Sequence, residues 1–317
     1  MKDTTGKHLT TEYISSTKPP CPSRFDPSTV RRFGRLTVAS RVEPQAYRPE
    51  HSRGTASGSR ALSKGKLTGP SPVEGPLTPD RAALVIFAKA PIPGQVKTRL
   101  CPPLTPDEAA TLHASFVLDT VERTKAAVVK LRLPLDRYLA CAPSSAHVFF
   151  KIMAERQGVS LIDQVGDDLG ARMNQACETM FAREYKRVLI VGTDVPTVPL
   201  DNFKQALALL ETNDLVLGPA LDGGYYLVGL TRTAAGLFVG IPWSTELVLA
   251  RTQEKATNLG LKTSLIPTWR DVDTMDDVLS LYQESTLEAK KPKKEHSFSS
   301  RTTGVLQVIA KRLRSRA

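Results

Sequence analysis

Between Ala82 and Tyr282 short apolar runs alternate with amphipathic stretches of helical period, and no other feature of the chain restricts its fold as strongly. The run from Ala82 to Phe87 is short, continuously apolar and followed by Pro and Gly, as in a strand buried on both faces. Thr105-Pro106-Asp107-Glu108 then opens a helix: a Thr cap, Pro at the first position and acids in the first turn, with helical spacing to about Val129. Strands are expected at Tyr138–Cys141, Ser160–Asp163, Arg187–Val191, Asp214–Leu217, Tyr225–Leu230 and Thr263–Ile266. Helices are expected at Ala146–Arg156, Leu169–Arg183, Leu200–Leu210, Thr245–Leu259 and Met275–Tyr282. Alternation of this kind requires crossover connections, and so an α/β fold with a mostly parallel sheet flanked by helices.

The chain has 317 residues and a net charge of +11, which invites a nucleic-acid reading until the charge is located. Residues 1–78 hold 13 basic and 6 acidic side chains, residues 287–317 hold 9 and 2, and residues 79–286 hold 21 and 24. The excess therefore lies at the ends, on either side of a slightly acidic body. Residues 1–78 are rich in Ser, Thr, Pro, Gly and Arg without periodicity and are expected to be a disordered basic extension. Residues 287–317 are expected to be a basic tail, either frayed or forming a short amphipathic helix over Val305–Arg316 that offers a basic face to a membrane surface or partner. The domain proper is placed at 79–286. No apolar run approaches the roughly 18 residues that span a bilayer, and the first residues lack a secretory stretch. A cytoplasmic protein is expected, with an organelle leader in residues 1–78 as the alternative. The cysteines, Cys21, Cys101, Cys141 and Cys177, are scattered without metal spacing and suit reduced thiols.

In such sheets ligands bind at the carboxyl ends of strands, and four segments place polar residues there. The loop after the first strand carries Ala88, Lys89, Gly94, Lys97 and Arg99; its amides and cations suit a polyphosphate, although the spacing is not that of a Walker loop. Asp194, in the turn Gly192-Thr193-Asp194-Val195-Pro196, is positioned to bind Mg²⁺ or Mn²⁺, ions that take one or two carboxylates and fill the remainder with phosphate and water. In Asp222-Gly223-Gly224-Tyr225 the glycines permit close backbone approach to a substrate, Tyr225 offers a face, and Asp222 can orient or deprotonate an acceptor hydroxyl; a plain hairpin turn explains the same residues. Thr274 can cap a helix with Asp276 and Asp277 in its first turn, leaving Asp271 and Asp273 to face the cleft, Asp273 as second metal carboxylate. Asp168 either lines a base pocket or caps the helix it precedes. The histidines form no cluster.

Six stretches, FAKAPIPGQVKTRL (87–100), GDDLGARM (166–173), VGTDVPTVP (191–199), DGGYYLVGL (222–230), IPWST (241–245) and DVDTMDDV (271–278), together resemble the selenodomain-associated transferase family of the GT-A glycosyltransferase superfamily. The resemblance covers about two thirds of the chain and excludes its ends. It implies a Rossmann-like domain that takes a nucleotide-sugar or nucleotide with a divalent ion. The superfamily often carries Asp-x-Asp; here Thr193-Asp194-Val195 has one acid, closer to the molybdenum-cofactor and phospholactate nucleotidyltransferases. That departure leaves the choice between sugar and nucleotidyl transfer open; glycosyl transfer from a nucleotide-sugar to a small acceptor is the first expectation, with nucleotidyl transfer and pyrophosphate release as the alternative. Two further alternatives are a non-catalytic nucleotide-binding relative and a nucleic-acid or anionic-membrane binder acting through the basic ends. Nucleic acid is not expected as a partner of the domain.

Overall fold

In the computed structural model the described residues are 81–290 and 298–315. The N-terminal extension and the basic run after Lys290 lie outside them.

The first apolar run forms strand β1 (Ala82–Lys89). Residues on its two faces enter different cores: Leu84 and Ile86 join one, Ala83 and Val85 the other, as the two-residue period of a strand requires. Helix α1 (Pro106–Leu131) begins with the expected cap, a full capping box between Thr105 and Glu108. It is followed by β2 (Leu135–Ala142), α2 (Val148–Gln157), β3 (Ser160–Asp163), α3 (Leu169–Ala182), β4 (Arg187–Gly192) and α4 (Leu200–Leu209). Then come β5 (Leu215–Pro219), β6 (Tyr225–Leu230), α5 (Val248–Asn258), β7 (Thr263–Leu265), α6 (Met275–Glu288) and α7 (Ser300–Ser315).

The seven strands form one sheet in the order β3-β2-β1-β4-β6-β5-β7. All neighbours run parallel except β6, which lies antiparallel between β4 and β5. β5 and β6 are thus a hairpin inserted into a parallel sheet, and its turn falls at the same edge as the carboxyl ends of β1 and β4. One core packs Phe150 of α2, Val117 of α1 and Phe203 of α4 on the sheet; the opposite core packs Met173 and Met180 of α3 and Ala256 of α5.

A third core lies under the loop that follows β1. It joins Leu100, Leu104, Leu112 and Phe116 to Val272, Val278 and Leu281, and to Leu306 and Ile309 of α7. The C-terminal helix therefore packs on the domain through its apolar face, where the sequence suggested a tail outside it. Its basic side chains hold it there. Arg301 pairs with Asp119 at 2.6 Å and Glu122 at 2.9 Å, and Arg312 pairs with Glu108 and donates to the Pro103 carbonyl at 2.9 Å. No helix among the described residues is long and apolar enough to cross a membrane.

Candidate functional site

The loop leaving β1 turns at Gly94, whose φ of +78° suits glycine, and reaches Lys97 in the left-handed conformation, φ 47°. That geometry turns the Lys97 side chain inward; it is 5% exposed. Its ammonium donates to Asp194 Oδ1 at 2.6 Å, to Asp273 Oδ1 at 2.8 Å and to the Val272 carbonyl at 2.6 Å. It also lies 5.8 Å from the centroid of the Phe116 ring. Burial works to lower the ammonium pKa, but the two carboxylates outweigh it and hold the pKa above its ordinary value. Arg99 remains outside, 63% exposed, with Nη1 3.9 Å from Asp273 Oδ2.

Asp194 stands just beyond the end of β4, its side chain 47% exposed. Burial would raise its pKa; the Lys97 charge and hydrogen bond prevail and hold it low. The Asp194 carbonyl accepts from Val272 N at 3.0 Å, which ties the segment before α6 to the end of β4. There Thr274 forms a capping box with Asp277, so Asp271 and Asp273 are free for the cleft. Asp271 is pushed up to about 6, first by burial and then by the carboxylates of Asp222, Asp273 and Asp277. Oxygens of Asp222, Asp271 and Asp273 lie within 4.8 Å of one another, a donor set that can hold a metal ion. Lys97, Asp194 and Asp273, distant in sequence, meet as anticipated; the group of three carboxylates around Asp273 draws in Asp222 and Asp271 instead of Asp194.

These groups line two lobes of one cleft. The larger, about 650 Å³, includes Ala88, Lys89, Lys97, Arg99, Asp168 and Arg172 in its wall. The smaller, about 240 Å³, runs between the carboxylates and an apolar wall that includes Met173, Tyr225 and Trp243. Both are bordered by Asp194 and Asp273.

The remaining expected residues divide between places away from the cleft and structural duties beside it. Gly94 borders neither lobe. Gly223, read as a point of close approach to substrate, approaches the chain itself: a Cβ there would meet the Glu246 carbonyl oxygen at 2.3 Å. Asp168 lines the larger lobe, but its Oδ1 accepts from Ala171 N at 2.7 Å, which makes it the cap of α3. Gly224 N donates to Asp222 Oδ1 at 2.8 Å, the turn signature of a hairpin. Tyr225 stacks edge-on against Trp243, ring centroids 6.3 Å apart.

Sequence reasoning assigned no role to Trp243, Ser244 or His113, which also line the cleft. Ser244 holds a φ of 65°, an uncommon conformation for a residue other than glycine and one that concentrates at ligand sites. His113, buried on α1, has Nε2 3.0 Å from the Lys89 carbonyl; a carbonyl only accepts, so this nitrogen carries the proton. A single histidine among apolar positions gave no sequence signal.

A family described as an uncharacterized protein conserved in bacteria (DUF2064) matches residues 125–245. A curated relative, the 2-phospho-L-lactate guanylyltransferase of Methanothermobacter thermautotrophicus (strain Delta H), is 26% identical over 196 residues, 60% of this chain and 81% of that protein. A solved structure from Desulfovibrio desulfuricans G20, provisionally named a nucleotide-diphospho-sugar transferase, is 32% identical, with a TM-score of 0.63 over 74% of this chain and 97% of the other. With nearly all of that relative covered at this identity, and with the cleft at the expected sheet edge, the chain belongs to its family of nucleotide-diphospho-sugar transferases, within a nucleotidyltransferase-like superfamily.

Proposed function

We propose that this protein is a metal-dependent glycosyltransferase that takes a nucleotide-sugar donor. The observation that carries the reading is the meeting of Lys97, Asp194 and Asp273 from three loops at one sheet edge. Beside a cleft of two lobes, that arrangement suits a diphosphate bound next to a cation.

In this reading the larger lobe holds the nucleotide. Lys97 and Arg99 take the phosphates, with Lys89 and the backbone around Ala88 at the rim. The donor set fits a hard divalent ion such as Mg²⁺ or Mn²⁺, since it consists of carboxylate oxygens gathered within 4.8 Å of one another. Asp273 would hold the ion with Asp194, the pair the sequence put forward, and with Asp271, read from the sequence as facing the cleft and brought by the fold within reach of Asp273. When bound, such an ion neutralises charge on the departing diphosphate. The smaller lobe takes the sugar or a small acceptor against Tyr225 and Trp243. Asp222, exposed at the hairpin turn and held by the Gly224 amide, receives or orients the proton of the acceptor hydroxyl.

A second reading, nucleotidyl transfer with release of pyrophosphate, is favoured by the guanylyltransferase relative and by the single acid at the end of β4. The same cations and carboxylates would serve it. Incubation with nucleotide-sugars, and separately with nucleoside triphosphates, each with Mn²⁺ and candidate acceptors, separates the two: nucleoside diphosphate release supports the first and pyrophosphate release the second. Asp194→Ala is expected to abolish metal-dependent nucleotide stabilisation in a thermal-shift assay while leaving the fold intact. Undiminished metal dependence in that variant refutes the site.

A further inference from the structure

We infer that the Lys97 ammonium is the resident cation of this site: it fills the space between Asp194 and Asp273 until a divalent ion replaces it, and that replacement frees it for the phosphates. The inference rests on the proposed function, because it concerns the order in which the same site fills.

An ammonium group has three N–H donors and no acceptor. In this structure three acceptors surround it at short range: Asp194 Oδ1 and the Val272 carbonyl at 2.6 Å each, and Asp273 Oδ1 at 2.8 Å. Every donor of Lys97 is therefore engaged, and none remains for a ligand, although the residue borders the larger lobe. The two carboxylates it bridges are those expected to take the divalent ion. An ion seated between Asp194 and Asp273 would stand where the ammonium now stands, and two cations at such distances repel strongly, so for that position the two occupancies oppose each other.

The backbone is consistent with the same conclusion. Lys97 is a non-glycine residue in the left-handed region, φ 47°, a conformation that persists only where surrounding contacts over-determine it. Here those contacts include the three short bonds of its own side chain, beside the 3.0 Å bond from Leu100 N to the Lys97 carbonyl. Their loss lets the loop relax. The Phe116 ring, 5.8 Å from the ammonium, keeps the displaced side chain close to the cleft.

An ion arriving alone must expel a buried ammonium that then lacks an anion. A phosphate arriving alone meets an ammonium with no free donor. When both arrive, the ion takes the carboxylates and Lys97 turns to the phosphate. Binding of the two is therefore cooperative, and by linkage equally so in either order.

The test uses the full chain, Mn²⁺ and inorganic pyrophosphate, with protein-retained Mn²⁺ separated by ultrafiltration and read by electron paramagnetic resonance against protein-free solutions, because pyrophosphate itself binds Mn²⁺. In the wild type, pyrophosphate is expected to tighten Mn²⁺ binding by about tenfold or more, within the usual range of site coupling. In Lys97→Met, Mn²⁺ alone should bind about tenfold more tightly than in the wild type, and pyrophosphate should add little. Lys97→Arg keeps a cation between the carboxylates and should retain the weak ion binding. A Met variant that binds Mn²⁺ alone no more tightly than the wild type overturns the inference, while intact coupling in the wild type leaves the proposed function standing. Absence of Mn²⁺ binding in all three proteins, with and without pyrophosphate, refutes both. Should the Met variant fail to fold, acetylation of Lys97 in the wild type, followed by mass spectrometry, reads the same event. Saturating Mn²⁺ should raise its reactivity and added pyrophosphate should lower it again; a reactivity unchanged by Mn²⁺ overturns the inference.

Discussion

Replacing Gly223 by alanine should destabilise the protein by about 3 kcal/mol, from two separable causes. The residue has φ +88°, and a Cβ in the left-handed region costs about 1–2 kcal/mol. The second cause is contact. The added atom would lie 2.3 Å from the Glu246 carbonyl oxygen and 2.6 Å from its Cα. Both are backbone atoms, so no rotamer change relieves the overlap, and forced displacement in a packed region costs roughly 1–3 kcal/mol. Moving that segment also endangers the 2.9 Å bond from Leu249 N to the Gly223 carbonyl. Gly94→Ala isolates the first cause, because Gly94 has φ +78° and a Cβ added there would meet nothing within 4 Å. It should lose only about 1–2 kcal/mol. Urea denaturation of both variants, compared at equal m-value, measures the difference. Equal losses would refute the claim that the hairpin turn rests on the segment entering α5.

Other outcomes follow from the third core and its charges. Leu306→Ala, at a residue 1% exposed on α7, should cost about 2–5 kcal/mol by leaving a cavity; a loss below about 1 kcal/mol in urea would show that α7 contributes little to the fold. Glu108 carries both the α1 capping box and the Arg312 ion pair. Burial raises its pKa, but the Thr105 backbone hydrogen bond and Arg312 outweigh that and hold it below its ordinary 4.5. The contribution is present above pH 4.5 and is lost as pH falls through the lower, folded value. Glu108→Gln should therefore be less stable than the wild type at about pH 7 and converge with it in acid; a gap in stability that does not narrow between about pH 5 and 2 contradicts the assignment.

Much of the fold was legible because local signals coincided. Thr105 and Thr274 each began a helix that the structure caps through the acid three residues on, and β1 read as doubly buried because it lies mid-sheet. The direction of β6 was not legible: a strand buried between two neighbours has the same apolar run whether it lies parallel or antiparallel. Asp222-Gly223 carried the hairpin signal, yet the same pair equally suits close approach to a ligand. The α7 stripe was visible, whereas its partners, Leu100 ahead of α1, Phe116 within it and Val272 before α6, are brought to it only by the finished fold. At the site, charge type and strand ends located Lys97, Asp194 and Asp273. Which carboxylates would crowd together depended on the hairpin turn, and the sequence held no register for it.

The reversed strand also decides where variation can enter. β6 starts at the cleft edge and delivers the chain to the opposite one, so residues 231–247 must travel back across the domain before α5 begins. Their return forms the wall containing Trp243 and Ser244, and it does so without a single strand or helix. Stretches free of ladder hydrogen bonds accept insertion and exchange more readily than sheet or helix. That wall can thus change while the charged groups across the cleft stay tied to one another by Lys97; under the proposed function, preference for a substrate and competence for transfer are open to change separately.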